Sequence, residues 1–192
     1  MRHVLFALLL AGSASTGAAE PVTLVAADGV KVFGTLWRAA GEKPPLVLAF
    51  HQAGSSAGEY EPIAPRLVAA GYTVLAIDQR SGDAMYGPNR TARAFGREAS
   101  YDEALPDLEA ALAWGRAEAK GAPVVVVGSS YSAALVFVLA AAHPGDIAAL
   151  VAFSPDEYLA KPHEVASAAA KVSMPASGRR CPNCRADAQC HQ

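Results

Sequence analysis

A chain of 192 residues with 52% hydrophobic side chains and a formal net charge of -2 can build one apolar core. It carries no basic excess for a nucleic-acid backbone and no nucleic-acid-binding motif, so no nucleic-acid partner is expected. A single domain is the expectation for this length.

The first residues, MRHVLFALLLAGSASTGAAE, combine a basic start at Arg2, an apolar stretch over Val4–Ala11 and small residues before Glu20. That pattern predicts a secretory signal peptide over residues 1–19 and a periplasmic or secreted mature protein. The apolar part is too short for a permanent membrane anchor. No membrane partner is therefore expected once the signal is cut.

Val22–Ala26 and Val30–Trp37 read as two strands joined at Asp28-Gly29, a pair suited to a hairpin turn in which both residues take positive φ. After the Gly/Pro-rich break at Gly41–Pro45, Leu46–Phe50 is a continuous apolar run, the pattern of a strand buried on both faces. The loop His51-Gln52-Ala53-Gly54-Ser55-Ser56 follows, and a helix is predicted from Glu59 to Ala70, stopped by Gly71. Tyr72–Asp78 is the next buried strand. The Gly/Pro-punctuated stretch Gln79–Arg97 reads as an irregular excursion. Its apolar residues Met85, Tyr86 and Phe95 either line one side of a pocket or lie under the loop.

Ser100 and Glu103 have the spacing of a capping box, ahead of a helix that reaches Lys120 and ends at Gly121. Then comes APVVVVGSSYSAALVFVLAAA, Ala122–Ala142, which reads as a strand, a tight turn and a buried helix. The turn fits G-x-S-x-small, with Gly128 two residues before Ser130 and Ser132 two after it. A sharp strand-to-helix turn needs small residues there, because a larger side chain collides with the neighbouring backbone. Ser130 is the candidate nucleophile; the register centred on Ser129 would put Val127 at the tight position. Ile147–Phe153 is a further strand, followed by a loop and a short Ala-rich helix over Ser154–Val172. Val172–Pro175 reads as the start of another strand. Strands alternating with helices at this spacing imply right-handed crossovers and a mostly parallel sheet covered on both faces.

The elbow, the HQAGSS loop and the order of elements together resemble the α/β-hydrolase superfamily, near its dienelactone-hydrolase-like and serine-peptidase-like members. The resemblance covers Val22–Pro175. It implies an α/β fold with an N-terminal antiparallel hairpin on a mostly parallel sheet. It also implies an oxyanion hole made by the backbone N–H groups of Tyr131 and Ala53, with Gln52 the neighbouring alternative because it stands where the family has Gly. His51 is expected to be structural. Asp78, Arg80 and Gly82 resemble the family's D-x-R-G segment, whose Asp and Arg organise loops, and a solvated or capping role is expected for both.

The family supplies an acid and then a His after the nucleophile, because a serine hydroxyl needs a base that is itself held by a carboxylate. Asp156 and His163 are the candidates here, with Glu157 an alternative acid. His143, at a helix end before Pro144, reads as a capping residue. Too few residues follow Pro175 for a strand, a helix, another strand and a histidine loop, given means of about 5 residues per strand and 11 per helix. The C-terminal strands of the fold are thus expected to be missing, leaving Ile147–Phe153 near an exposed edge. Residues 20–175 form the expected incomplete hydrolase domain, and 176–192 an aberrant, disordered tail that is either out of frame or a premature end. Cys181, Cys184, Cys190 and His191 have the residue types for zinc or a Cys181–Cys184 disulfide. With no flanking structure to support either, no metal is expected.

The functional expectation is a secreted serine hydrolase that cleaves an ester, thioester or amide of a small-molecule or peptide acyl substrate through an acyl-enzyme on Ser130, without a cofactor. The alternative is a catalytically incompetent remnant that lacks the acid and the His. A zinc-binding module at the tail is a third class.

Overall fold

Leu46–Phe50 forms β3, buried along its whole length. It lies between β4 (Thr73–Ile77) and β5 (Val124–Ser129), both parallel to it. The computed structural model describes residues 17–179. The predicted signal segment up to residue 16 and the cysteine cluster at Cys181, Cys184, Cys190 and His191 lie outside the described residues.

Alternation along β3 divides the core. Leu46, Leu48 and Phe50 point to one face of the sheet, and Val47 and Ala49 point to the other. The first face packs on α3 (Leu105–Ala119) and α4 (Tyr131–Ala142), the second on α1 (Ala64–Ala69), so helices cover both sides.

The sheet has seven strands in the order β1-β2-β4-β3-β5-β6-β7, with β1 (Ala19–Val25) and β2 (Lys31–Trp37) forming the antiparallel hairpin. At its turn only Gly29 has positive φ, at 86°. The loop closes with Gly29 N–H on the Ala26 carbonyl and Ala26 N–H on Val30, so it is one residue longer than the expected two-residue turn. β6 (Ala149–Phe153) and β7 (Ala176–Arg179) continue the parallel part. The strand foreseen at Val172–Pro175 therefore begins just after Pro175. β6 is paired on both sides and is not the edge strand.

Two local readings are corrected. The helix expected over Glu59–Ala70 is a 3-10 turn at Ala57–Tyr60 followed by α1, because Pro62 and Pro65 lack the N–H groups a continuous helix needs and Pro65 sits instead in the first turn of α1. The excursion after β4 contains a helix, α2 (Arg90–Phe95), capped by the Asn89 side chain on Ala92 N–H and ended by Gly96 at φ 77°. The capping box forms as foreseen. Ser100 N–H donates to Glu103 at 2.9 Å, and Glu103 N–H returns a bond to Ser100 Oγ at 3.4 Å. The Ala-rich helix is α5 (Glu164–Ala169).

Candidate active site

β5 ends in the elbow. A side chain at Gly128 would run into the backbone of Ser132 and Ala133, so only glycine lets α4 start this close to the strand. Ser130 occupies φ 55°, ψ -121°, a strained conformation for a residue with a Cβ, while Ser129 is still part of the strand. Ser130 N–H donates to the Phe153 carbonyl at 2.8 Å, which ties the elbow to the end of β6. Tyr131 is the first residue of α4, so its N–H has no intrahelical acceptor.

The start of the loop after β3 is held by hydrogen bonds at His51 and Gln52. His51 N–H donates to Gln79 Oε1 at 3.0 Å, and the His51 carbonyl accepts from Ser132 Oγ at 2.5 Å. Gln52 N–H donates to the Glu59 carboxylate at 2.9 Å. The Gln52 carbonyl accepts from His51 Nδ1 at 2.8 Å, because Gln79 N–H donates to Nε2 at 3.0 Å and the ring proton is therefore on Nδ1. Among the described residues Ala53 N–H has no acceptor, whereas that of Gln52 is taken. The two alternatives for the loop's oxyanion donor are thus physically unequal.

Neither His51 nitrogen is available as a base. The ring is fully buried, and burial pushes its pKa down to about 4, against stabilising contributions from the Gln52 carbonyl and Asp78. Glu59 is shifted the other way: burial raises its carboxyl above the ordinary value, opposed by its bond from Gln52 N–H.

The D-x-R-G residues organise loops. The buried Asp78 carboxylate accepts from Ala57 N–H at 2.8 Å and Arg90 N–H at 3.0 Å, each at the start of a helical segment, and from Arg90 Nε at 2.9 Å. Arg80 is buried rather than solvated, and it pairs with Asp107 on α3 and with Asp28 in the hairpin turn. A Cβ at Gly82 would collide with His51, Asn89 and Ser55.

Among the described residues, the predicted acid Asp156 and base His163 form no hydrogen bond with each other or with Ser130. Asp156 is exposed and accepts from Glu157 N–H at 2.8 Å, and His163 is exposed at φ 58° before α5. Glu157 caps α5 by accepting from Val165 and Ala166 N–H at 3.1 and 2.8 Å. His143 lies between Glu109 and Asp146 at the end of α4. Among the described residues, no histidine is hydrogen-bonded to Ser130 Oγ.

Met85 and Tyr86 are exposed, at 58% and 52%, so neither is buried beneath the excursion. Met85 Sδ accepts from the Gln52 side chain at 3.3 Å, which places it over the loop after β3. Phe95 is half-buried between the guanidinium groups of Arg80 and Arg97. The excursion borders a cavity of about 750 Å³ lined by Arg80, Gly82, Asn89, Arg93 and Arg97 among others.

Four residues to which the sequence reading gave no role at the site shape this region, Gln79, Glu59, Asn89 and Asp107, and Ser132, read only as the small residue of the turn, adds a hydroxyl. Gln79 carried the clearest signal, a polar residue next to Asp78 just past the apolar run of β4. The others carried none, since their partners are distant in the chain.

A serine on a strand-to-helix elbow after the fifth strand of a sheet in this order defines the α/β-hydrolase fold. Over residues 41–191 the sequence matches the serine aminopeptidase S33 family, and the chain belongs to that family. It is 29% identical over 132 residues to human monoglyceride lipase, covering 69% of this chain and 42% of the relative. Against monoacylglycerol lipase of Mycolicibacterium smegmatis it is 28% identical over 127 residues, with 66% and 43% covered. The chain thus spans less than half the length of these curated relatives. In fold it is similar to the Pyrococcus furiosus esterase Pf2001, with TM-score 0.64 at 21% identity over 84% of this chain and 68% of the other.

Proposed function

We propose that this chain is a serine hydrolase acting on small-molecule esters, with Ser130 as nucleophile and the Ala53 and Tyr131 amides as the oxyanion hole. The observation that carries the reading is the strained Ser130 backbone at the elbow, together with the loop after β3, where among the described residues Gln52 N–H is taken and Ala53 N–H has no acceptor. Ser130 Oγ attacks the ester carbonyl carbon as its proton passes to a base. The carbonyl oxygen takes the negative charge and is held by the two amides. The alcohol leaves with a proton, and water releases the acid from the acyl-enzyme. In the family order Ser, acid, His, Asp156 and His163 are this chain's own candidates for acid and base. The names of the relatives support an ester, and the reading extends to thioesters and amides by chemistry alone. The test is covalent labelling by a fluorophosphonate: wild-type protein labels and Ser130→Ala does not. Folded wild-type protein that fails to label sinks the reading.

One observation favours a second reading, a hydrolase-fold chain without turnover: no histidine is bonded to Ser130 among the described residues. Ester turnover that disappears in His163→Ala would exclude it. We further propose export, with cleavage after Ala19, supported by the N-terminal pattern of charge, apolar stretch and small residues. Among the described residues no helix is long and apolar enough to cross a membrane. N-terminal sequencing of extracytoplasmic protein tests the export, and a chain that starts at Met1 rejects it.

A further inference from the structure

We infer that Gln79 and Ser132 form a clamp that holds the loop after β3 against the nucleophile elbow, making them positioning residues for the oxyanion hole. The inference rests on the reading of Ser130 and Ala53 given above.

Three strand ends meet here just past their last ladder pairs, Phe50–Ile77 and Phe50–Gly128: His51 follows β3, Gln79 lies two residues beyond β4, and β5 runs into the elbow. Gln79 bridges all three. Its Oε1 accepts from His51 N–H at 3.0 Å, and its Nε2 donates to Tyr131 Oη at 2.8 Å and Ser132 Oγ at 2.7 Å. Ser132 then donates from Oγ to the His51 carbonyl at 2.5 Å, which closes a ring between loop and elbow. Only one orientation of the amide satisfies this set, since turning it over would set two donors against each other at His51 N–H. Asn89 closes the outer side, donating from Nδ2 to the Gln79 carbonyl at 2.9 Å and the Ser55 carbonyl at 3.3 Å.

His51, Gln79, Tyr131 and Ser132 are each no more than 1% exposed, so the ring is out of reach of competing water. Each bond contributes only about 1 kcal/mol net to stability, but each is directional. The elbow pattern asks only for a small residue at 132, and alanine meets that requirement. The hydroxyl adds what alanine lacks, a fixed vector from the elbow to the residue two before Ala53. An oxyanion hole works only when its donors lie about 3 Å from the developing charge, so a loop displaced by a fraction of an ångström loses transition-state binding before it loses substrate binding.

The experiment measures Ser130 labelling by a fluorophosphonate, separated into its binding constant and its maximal rate, in wild type, Ser132→Ala, Gln79→Met and Ser132→Thr, each with its melting temperature. The clamp predicts a maximal rate lower by roughly 10- to 100-fold in Ser132→Ala and Gln79→Met, part of the 10²–10³-fold loss for deleting a donor outright. Binding should change less than about threefold, and Ser132→Thr, which keeps the hydroxyl, should recover most of the rate. Folded Ser132→Ala and Gln79→Met proteins that label at the wild-type rate overturn the clamp. If wild type itself does not label, it is the reading of Ser130 that has failed. The clamp is then decided by amide hydrogen exchange: faster exchange at Gln52 and Ala53 in Ser132→Ala supports it, and unchanged exchange overturns it.

Discussion

The Arg80 guanidinium meets the Asp107 carboxylate at 2.7 Å with both side chains withdrawn from water, 3% and 0% exposed. Asp107 Oδ2 also accepts Arg80 N–H at 2.8 Å, so the segment after β4 is fastened to α3 twice. Burial raises the Asp107 carboxyl and Arg80 opposes that rise. Removing one partner strands the other. Arg80→Met should cost about 3–5 kcal/mol in urea unfolding, and Arg80→Met/Asp107→Leu should recover part of it. A single-variant loss below about 1 kcal/mol would show that water or a neighbour satisfies Asp107 instead.

The packing at the elbow predicts that Gly128→Ala loses about 3 kcal/mol, because the new methyl meets backbone atoms of Ser132 and Ala133 that cannot rotate away. Chemical denaturation measures this, and a neutral outcome would mean that α4 can retreat from β5.

Glu59 separates charge from hydrogen bonding. Its folded-state carboxyl ionises above the ordinary 4.5, chiefly because of burial. Its contribution to stability is therefore fully present below pH 4.5 and lost as pH rises through the folded value. Glu59→Gln keeps an acceptor for Gln52 N–H without the charge, so it should melt above wild type at pH 7, with the gap closing by pH 4. Glu59→Ala, which leaves Gln52 N–H without its partner, should label more slowly at Ser130. Equal labelling in both variants would remove Glu59 from the positioning of the loop.

Acid sensitivity should follow from His51. Its folded pKa of about 4 lies below the ordinary 6.5 because of burial, so the unfolded chain binds the proton first. The stabilisation is complete above pH 6.5 and is lost as pH falls through about 4, by roughly 3 kcal/mol in all. Urea midpoints between pH 7 and pH 4 measure the slope, and an NMR titration of the ring should show no charging above pH 5. A ring that titrates near 6.5 in the folded protein would contradict its burial.

Much of this molecule was legible residue by residue. The elbow could be read because Gly128, Ser130 and Ser132 are neighbours in sequence and the steric demand of the turn acts over that distance. β3 and β4 could be read because buried parallel strands carry uninterrupted apolar runs. The capping box at Ser100 and Glu103 spans one helical turn and formed as expected. Short elements were harder. Pro62 and Pro65 divided a helix whose hydrophobic pattern looked continuous, and Asn89 with Gly96 bounded a six-residue helix too short to show a period.

The sequence by itself determined strands β1 to β6, the alternation of helices and strands, and the elbow centred on Ser130, because each rests on periodicity or on sterics between near neighbours. Only the tertiary structure decided that the Gln52 amide is taken and that of Ala53 is free. It alone brought His51, Gln79 and Ser132 into one buried ring and left Asp156 and His163 unjoined to Ser130. Those relationships depend on hydrogen bonds across as many as 81 residues, whose partners meet only when β3, β4 and β5 are set side by side. No local preference of the chain encodes such a meeting.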